Sequence, residues 1–318
     1  MRAFVTGASG FVGSAVVRCL LHRGVAVRVL ARPTSDLRNL AGLNVELFYG
    51  DLLDASTLVE GQRGCDTLYH VAAYYSTDEA DARRMYAVNV RGTKLVLEAA
   101  LKAGVRRAVH TSTIGTVGQP TDGTLATEET AFDMWETASH YAKSKYLAER
   151  VAMNMGKRGL EVVVVNPCAP VGPRDIKPSS TGQRIVDYLQ GKLPSFVPGG
   201  INFVSVADVA EGHILATEKG LAGERYILGH MEGNLLLPAF LALMQRVSGV
   251  RSPSLPRSER LLWPWQHKGA AAGKDHRPQA LACDPSKAVR QLGLPQTPLE
   301  KAFGEAIAWF RDNGYVRA

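Results

Sequence analysis

Apolar residues recur along this chain in two periods. Short runs of apolar and β-branched residues alternate with longer stretches whose apolar positions fall three or four apart. The runs read as strands and the stretches as helices. Phe4-Val5 opens the series and passes into Thr6-Gly7-Ala8-Ser9-Gly10-Phe11-Val12-Gly13. An amphipathic helix follows to about Arg23, Gly24 ends it, and Val25–Leu30 is a second strand. Val45–Tyr49, Asp66–Val71 and Arg106–His110 are further strands, and residues 79–103 form one long helix. Ser139 is an N-cap for the next helix. Glu161–Val165 is nearly continuous in apolar residues, the mark of a central parallel strand covered on both faces. Phe203–Val206 and Arg225–Leu228 return to the core, and Pro285–Leu292 and Thr297–Phe310 supply two closing helices. Alternating strands and helices predict an α/β protein on a parallel sheet.

The glycine-bearing turn gives this pattern a chemistry. Gly7 permits a tight turn, Gly10 lets backbone amides approach a pyrophosphate, and Gly13 lets helix and strand pack closely. The helix N-terminus then faces the phosphates. Ser9, Phe11 and Val12 complete the cradle. An acidic residue at the end of the second strand would favour NAD, but Ala31 and Arg32 stand there. Arg32 suits the 2′-phosphate of NADP, with NAD and an Asp36–ribose bond as the alternative. Asp51 either accepts from the adenine amino group or caps the next helix, with Leu52 beside it. Ala72 and Ala73 leave space for a ligand at a strand end. His70 reads as a packed strand residue, and Asn89, mid-helix, as a bend, a holder of water near the site or a cofactor contact.

Tyr141 and Lys145 are four residues apart, so their side chains leave one helix face about a turn apart. A nearby ammonium and an oxidised nicotinamide both favour the phenolate, so the expected tyrosine pKa is lowered. The pair is a proton donor and acceptor for a C–OH/C=O couple. Thr113, at the end of the fifth strand, is the first choice to bind the substrate oxygen and Ser112 the second. Tyr74, Asn166 and Arg174 are further candidate substrate contacts, and Pro167 a cofactor contact. The segment Gly172–Pro178 reads as a mobile substrate cover. A nucleotide-binding core then spans 1–167 with returning segments at about 202–230. The substrate lobe comprises 168–201 and 231–318, interleaved with the core.

Composition narrows the class. The 318 residues are 46% hydrophobic and 21% charged, ordinary for a globular protein, with no run long enough to span a membrane. The chain enters its first strand at once, so a cytoplasmic location is expected. Cys19, Cys65, Cys168 and Cys283 show no Cys-x-x-Cys spacing and read as free thiols. No metal site is expected. The net charge is +7 without a Lys/Arg block, which favours a solvated basic surface or an anionic ligand over nucleic acid. Trp263–Lys268 mixes aromatic and basic residues and reads as a surface loop within 251–280.

Together, Thr6-Gly7-x-x-Gly10-x-x-Gly13, Asp51-Leu52, His70–Ala73, Asn89-Val90-x-Gly92-Thr93, Thr113, Tyr141-x-x-x-Lys145 and Asn166-Pro167 resemble the extended short-chain dehydrogenase/reductase family. The resemblance implies a Rossmann doubly wound sheet of about seven strands. It also implies Tyr141 as acid/base, Lys145 on the nicotinamide ribose, Thr113 polarising the substrate oxygen, and a homodimer. Asn166–Pro178 and Asp284–Ala288 are most similar to hopanoid-associated sugar epimerases and, more loosely, dihydroflavonol 4-reductases. Nucleotide-sugar epimerases carry Arg-Asp where this chain has Ile201-Asn202. The expectation is therefore an NADP-dependent reductase of a ketone or aldehyde. The alternatives are an NAD(P)-dependent epimerase or dehydratase and a non-catalytic nucleotide sensor.

Overall fold

The computed structural model describes residues 1–253 and 281–316. The segment around Trp263–Lys268 lies outside the described residues. Strand β1 (Arg2–Thr6) runs into the glycine turn and helix α1 (Phe11–His22). Strands β2 (Ala26–Ala31) and β3 (Glu46–Tyr49), helix α2 (Ala55–Gln62) and strand β4 (Thr67–His70) follow. Helix α3 (Ala82–Tyr86) passes through a π-helical segment (Ala87–Gly92) into α4 (Thr93–Lys102), so the expected long helix carries a π distortion at Asn89. Then come β5 (Arg107–Thr111), α5 (His140–Met155), β6 (Glu161–Pro167), β7 (Ala169–Val171) and α6 (Ser180–Leu189). The chain closes with β8 (Ile201–Ser205), α7 (Val206–Lys219), β9 (Arg225–Leu228), β10 (Asn234–Leu235), α8 (Leu237–Ser248), α9 (Ser286–Leu292) and α10 (Leu299–Asp312).

Seven parallel strands form the main sheet in the order β3-β2-β1-β4-β5-β6-β9. Winding reverses between β1 and β4, which opens a crevice at their C-terminal ends. Alternate residues serve opposite faces. Ala3 and Val5 join the cluster under α1 and α7, whereas Phe4 joins the cluster under α2, α4 and α5. In β6, Val163 and Val165 face the first cluster and Val162 and Val164 the second. Burial of each valine contributes roughly 1.5–3 kcal/mol, which is why this strand reads as an unbroken apolar run.

A second sheet, β10-β8-β7, lies beside a separate core that includes Tyr188, Phe203, Phe240, Phe303 and Phe310. The expectation for Phe203–Val206 holds in part. The strand β8 is hydrogen-bonded into this second sheet, with Phe203 in the second core, while its Val204 and the helix that follows, α7, pack into the main core. Strand β9 does rejoin the main sheet, beside β6.

Candidate active site

The turn between β1 and α1 packs with almost no clearance. A Cβ on Gly7 would lie 2.6 Å from the Ala72 nitrogen, and Gly7 has φ of +71°. A Cβ on Gly13 would overlap the Gly7 carbonyl. Gly10 caps α1 with no side-chain bond to the first turn, and that turn holds no acidic residue. The leading N–H groups of α1 are thus available to an anion, as the pyrophosphate of a dinucleotide requires. Ala72 donates its N–H to Thr6 Oγ1, which fixes the β4 end against the turn.

Ser139 caps α5 by accepting from the Ala142 N–H. Helix α5 carries Tyr141, Lys145 and Glu149 at intervals of four. Lys145 is buried and donates from Nζ to the Thr111 carbonyl at 2.6 Å. That leaves two of its three donors for a ribose. Burial lowers the Lys145 pKa to about 8. Tyr141 departs from the expectation of a lowered pKa. Desolvation, reinforced by the Tyr75 phenol, raises it to about 12. The ammonium that was to counter this is anchored on the Thr111 carbonyl.

Tyr75, and not Tyr74, is the aromatic residue on Tyr141. Their rings meet edge-on at 4.9 Å between centroids, and the Tyr75 hydroxyl lies 2.8 Å from Ser180 Oγ at the start of α6. Tyr74 instead carries Arg84 over its ring at 4.5 Å. Asn89 is not free for a water or a cofactor. It accepts the Tyr74 N–H at 2.7 Å and donates to the Tyr74 carbonyl and Ser144 Oγ, each at 2.9 Å.

The hydroxyl candidates divide. Thr113 is half-buried and its Oγ1 accepts the Gly115 N–H at 3.3 Å. Ser112 and Asn166 lie behind the cleft. Both are buried and donate to Glu149 Oε2, at 2.6 and 2.9 Å, and Thr116 does the same at 2.8 Å. The other Glu149 oxygen pairs with Arg225 at 3.0 Å. Both residues are corrected from substrate contacts to parts of this buried network. Glu149 escaped the sequence reading, although its spacing from Tyr141 and Lys145 marks the same helix face.

At the cofactor end, Asp51 Oδ1 accepts the Leu53 N–H, and Asp54 is the residue that caps α2. The helix-capping alternative for Asp51 is therefore corrected. Asp36 is bonded twice over by Arg38, through Nε and Nη2. Arg174 also moves. Its carbonyl accepts from Asn39, which bonds the Ser9 carbonyl as well, so Arg174 sits by the glycine turn rather than by Tyr141. His70 is held between Thr6 and Thr93 and kept neutral by burial, which lowers its pKa to about 3. Cys168 and Cys283 are free, with their Sγ atoms 3.2 Å apart. Among the described residues no cluster of metal-ligating side chains occurs, and no helix is long and apolar enough to cross a membrane.

A sequence profile of the NAD dependent epimerase/dehydratase family matches residues 3–229. This chain belongs to that family. Several known proteins are similar to it over nearly its whole length. A Synechocystis protein provisionally named dihydroflavonol 4-reductase is 38% identical over 99% of this chain and 96% of its own length. Sterol demethylase protein B of Methylococcus capsulatus is 36% identical over 99% of this chain and 100% of its own. The crystal structure of DesIV, a dTDP-glucose 4,6-dehydratase from Streptomyces venezuelae with NAD and TYD bound, superposes with a TM-score of 0.80. It is 28% identical and covers 100% of this chain and 99% of its own. The chain is thus an enzyme of the extended short-chain dehydrogenase/reductase type, working with a nicotinamide cofactor on a small molecule.

Proposed function

We propose that the protein is an NADP-dependent reductase of a ketone or aldehyde. The observation that carries this reading lies at Ile201 and Asn202, which are buried and offer no anchor for the diphosphate of a nucleotide sugar. Tyr141, on the same helix face as Lys145 and edge-on to Tyr75, is the proton donor that reduction needs.

When bound, the nicotinamide supplies hydride. The turn Gly7–Gly13 holds the pyrophosphate, with Ser9, Phe11 and Val12 lining it. Asp51, Leu52, Ala72, Ala73 and Pro167 border the rest of the cofactor, and Lys145 holds the ribose with its two free donors. Thr113 donates to the substrate oxygen as negative charge develops there, and Tyr141 delivers the proton. Asp36 is committed to Arg38, which leaves Arg32 for a 2′-phosphate. Ile201 is fully buried and Asn202 is bonded to the His230 carbonyl and to Asn234, so neither offers a diphosphate anchor.

The epimerase or dehydratase reading draws on the likeness to DesIV. NADPH deuterated at its transferable position separates the two. With a panel of ketones, aldehydes and nucleotide sugars, a reductase consumes NADPH stoichiometrically and places deuterium in the product. Isomerisation or dehydration of a nucleotide sugar with no net NADPH consumed would overturn the proposal. A cofactor bound tightly, with turnover of nothing on the panel, would favour a sensor.

A further inference from the structure

The loop between β7 and α6 touches both ends of the cleft. Its residue Ser179 caps α6, whose first residue, Ser180, meets the Tyr75 hydroxyl beside Tyr141. Its residue Arg174 lies at the other end. There a cavity of about 200 Å³ opens between Arg38, Asn39 and Arg174 on one side and Trp309 and Tyr315 on the other. Tyr315 fastens the loop from outside by donating its hydroxyl to the Ile176 carbonyl at 2.7 Å. Asn39 fastens it from inside, with one amide group shared at 3.1 Å between the Ser9 and Arg174 carbonyls.

Two features mark Arg174 as more than a loop residue. It has φ of +74°, the left-handed region, and no other non-glycine described residue does. Backbone held this way is kept by its surroundings and clusters at binding sites. It also stands among like charges. Arg18 on α1 bonds the Asn39 carbonyl, and its pKa is lowered by burial and by the charge of Arg174. Arg38 lines the same cavity, and its partner Asp36 is the one carboxylate paired there among the described residues. Neither Arg18 nor Arg174 has an ion-pair partner among the described residues. An electropositive, aromatic-walled cavity next to the glycine turn is built for an anion carried on a nucleotide.

We propose that Arg174 clamps the 2′-phosphate of the cofactor together with Arg38 and Arg32, so that the loop leading to α6 is ordered by the phosphate that distinguishes NADP from NAD. This rests on the NADP reading above and extends it. The cover over the substrate becomes part of the cofactor's specificity site. A carboxylate or phosphate on the substrate is the competing occupant.

Calorimetry with adenosine 2′,5′-bisphosphate and 5′-AMP, alongside NADPH and NADH, tests the assignment without turnover. Arg174→Ala should weaken the bisphosphate and NADPH by roughly tenfold or more, the worth of one charge-assisted contact. Binding of 5′-AMP and NADH should change less than about twofold, the scale of a contact not made. Arg174→Gly keeps the left-handed backbone without strain and guards against a collapsed loop. It should show the same selective loss, and Arg174→Lys should recover part of it. Equal losses for both nucleotides, or no loss for either, would overturn the role of Arg174. Wild-type protein that does not tell the bisphosphate from 5′-AMP would sink the NADP reading itself. Discrimination that survives Arg174→Ala but vanishes with Arg32→Ala would sink only this inference.

Discussion

Asn89 holds the main chain of Tyr74 at both its N–H and its carbonyl, at 2.7 and 2.9 Å. The same amide reaches Ser144 on α5. One buried side chain therefore sets the distance between the end of β4 and the helix that carries Tyr141. Asn89→Ala strands the Tyr74 backbone groups, which costs about 1–3 kcal/mol for each group left buried and unpaired. We expect a lower melting temperature and a kcat reduced about tenfold through misplacement of Tyr75 and Tyr141. Asn89→Asp keeps the acceptor and loses the donors, so it should fall between Ala and wild type. Thermal unfolding and steady-state kinetics check the order.

Tyr141→Phe removes the proton donor while keeping the ring that meets Tyr75. The expected kcat falls about 10²–10⁴-fold, with the cofactor dissociation constant nearly unchanged. Wild-type turnover in this variant would remove Tyr141 from the chemistry.

Lys145 sets a pH dependence with a definite sign. Its pKa in the folded protein is lowered to about 8 from 10.5. Between these values the unfolded chain binds more protons, so stability rises with pH across that window. Cofactor affinity should move the other way, weakening as pH climbs above about 8 and the ammonium is lost. Tyr141, raised to about 12, should add no break to the reduction rate between roughly pH 6 and 9. Denaturant titrations and cofactor titrations at matched pH values separate the two trends. A Lys145→Met variant that kept the same affinity profile would refute the assignment.

Arg32→Asp should weaken NADPH far more than NADH, because it sets a carboxylate against the 2′-phosphate. Fluorescence titration of both cofactors measures the two losses, and equal losses would refute the role given to Arg32.

We expect a homodimer through the faces of α4 and α5, which pack side by side on one flank of the sheet. Light scattering at micromolar concentration checks this, and a strict monomer would remove it.

What the sequence revealed was what a few adjacent residues can express. The glycine turn, the Ser139 cap and the Tyr141–Lys145 spacing are local, and their chemistry follows from residue type and period. What escaped it was decided by partners far away in sequence. Whether Tyr74 or Tyr75 faces Tyr141 depends on which way β4 ends, and Asn89, fifteen residues on, fixes that. Asn166 was expected at the substrate, yet its amide is taken up by Glu149 and Thr116, which no spacing around Asn166 announces. The Tyr141 pKa went the other way from its expectation for a related reason. Residue spacing shows how near Lys145 is, but not how much water the fold removes from the phenol.

The π-helical segment Ala87–Gly92 adds one residue to a turn of the helix that runs from α3 into α4. Register is thereby made part of the active site. Deleting a single residue between Ala87 and Gly92 would restore ordinary helical winding and remove the bulge on which Asn89 stands. Such a deletion leaves every recognised catalytic side chain in place and yet carries Asn89 off Ser144. Two homologues with identical site residues can therefore differ in activity through helix length alone, a difference that an alignment would score as a trivial gap.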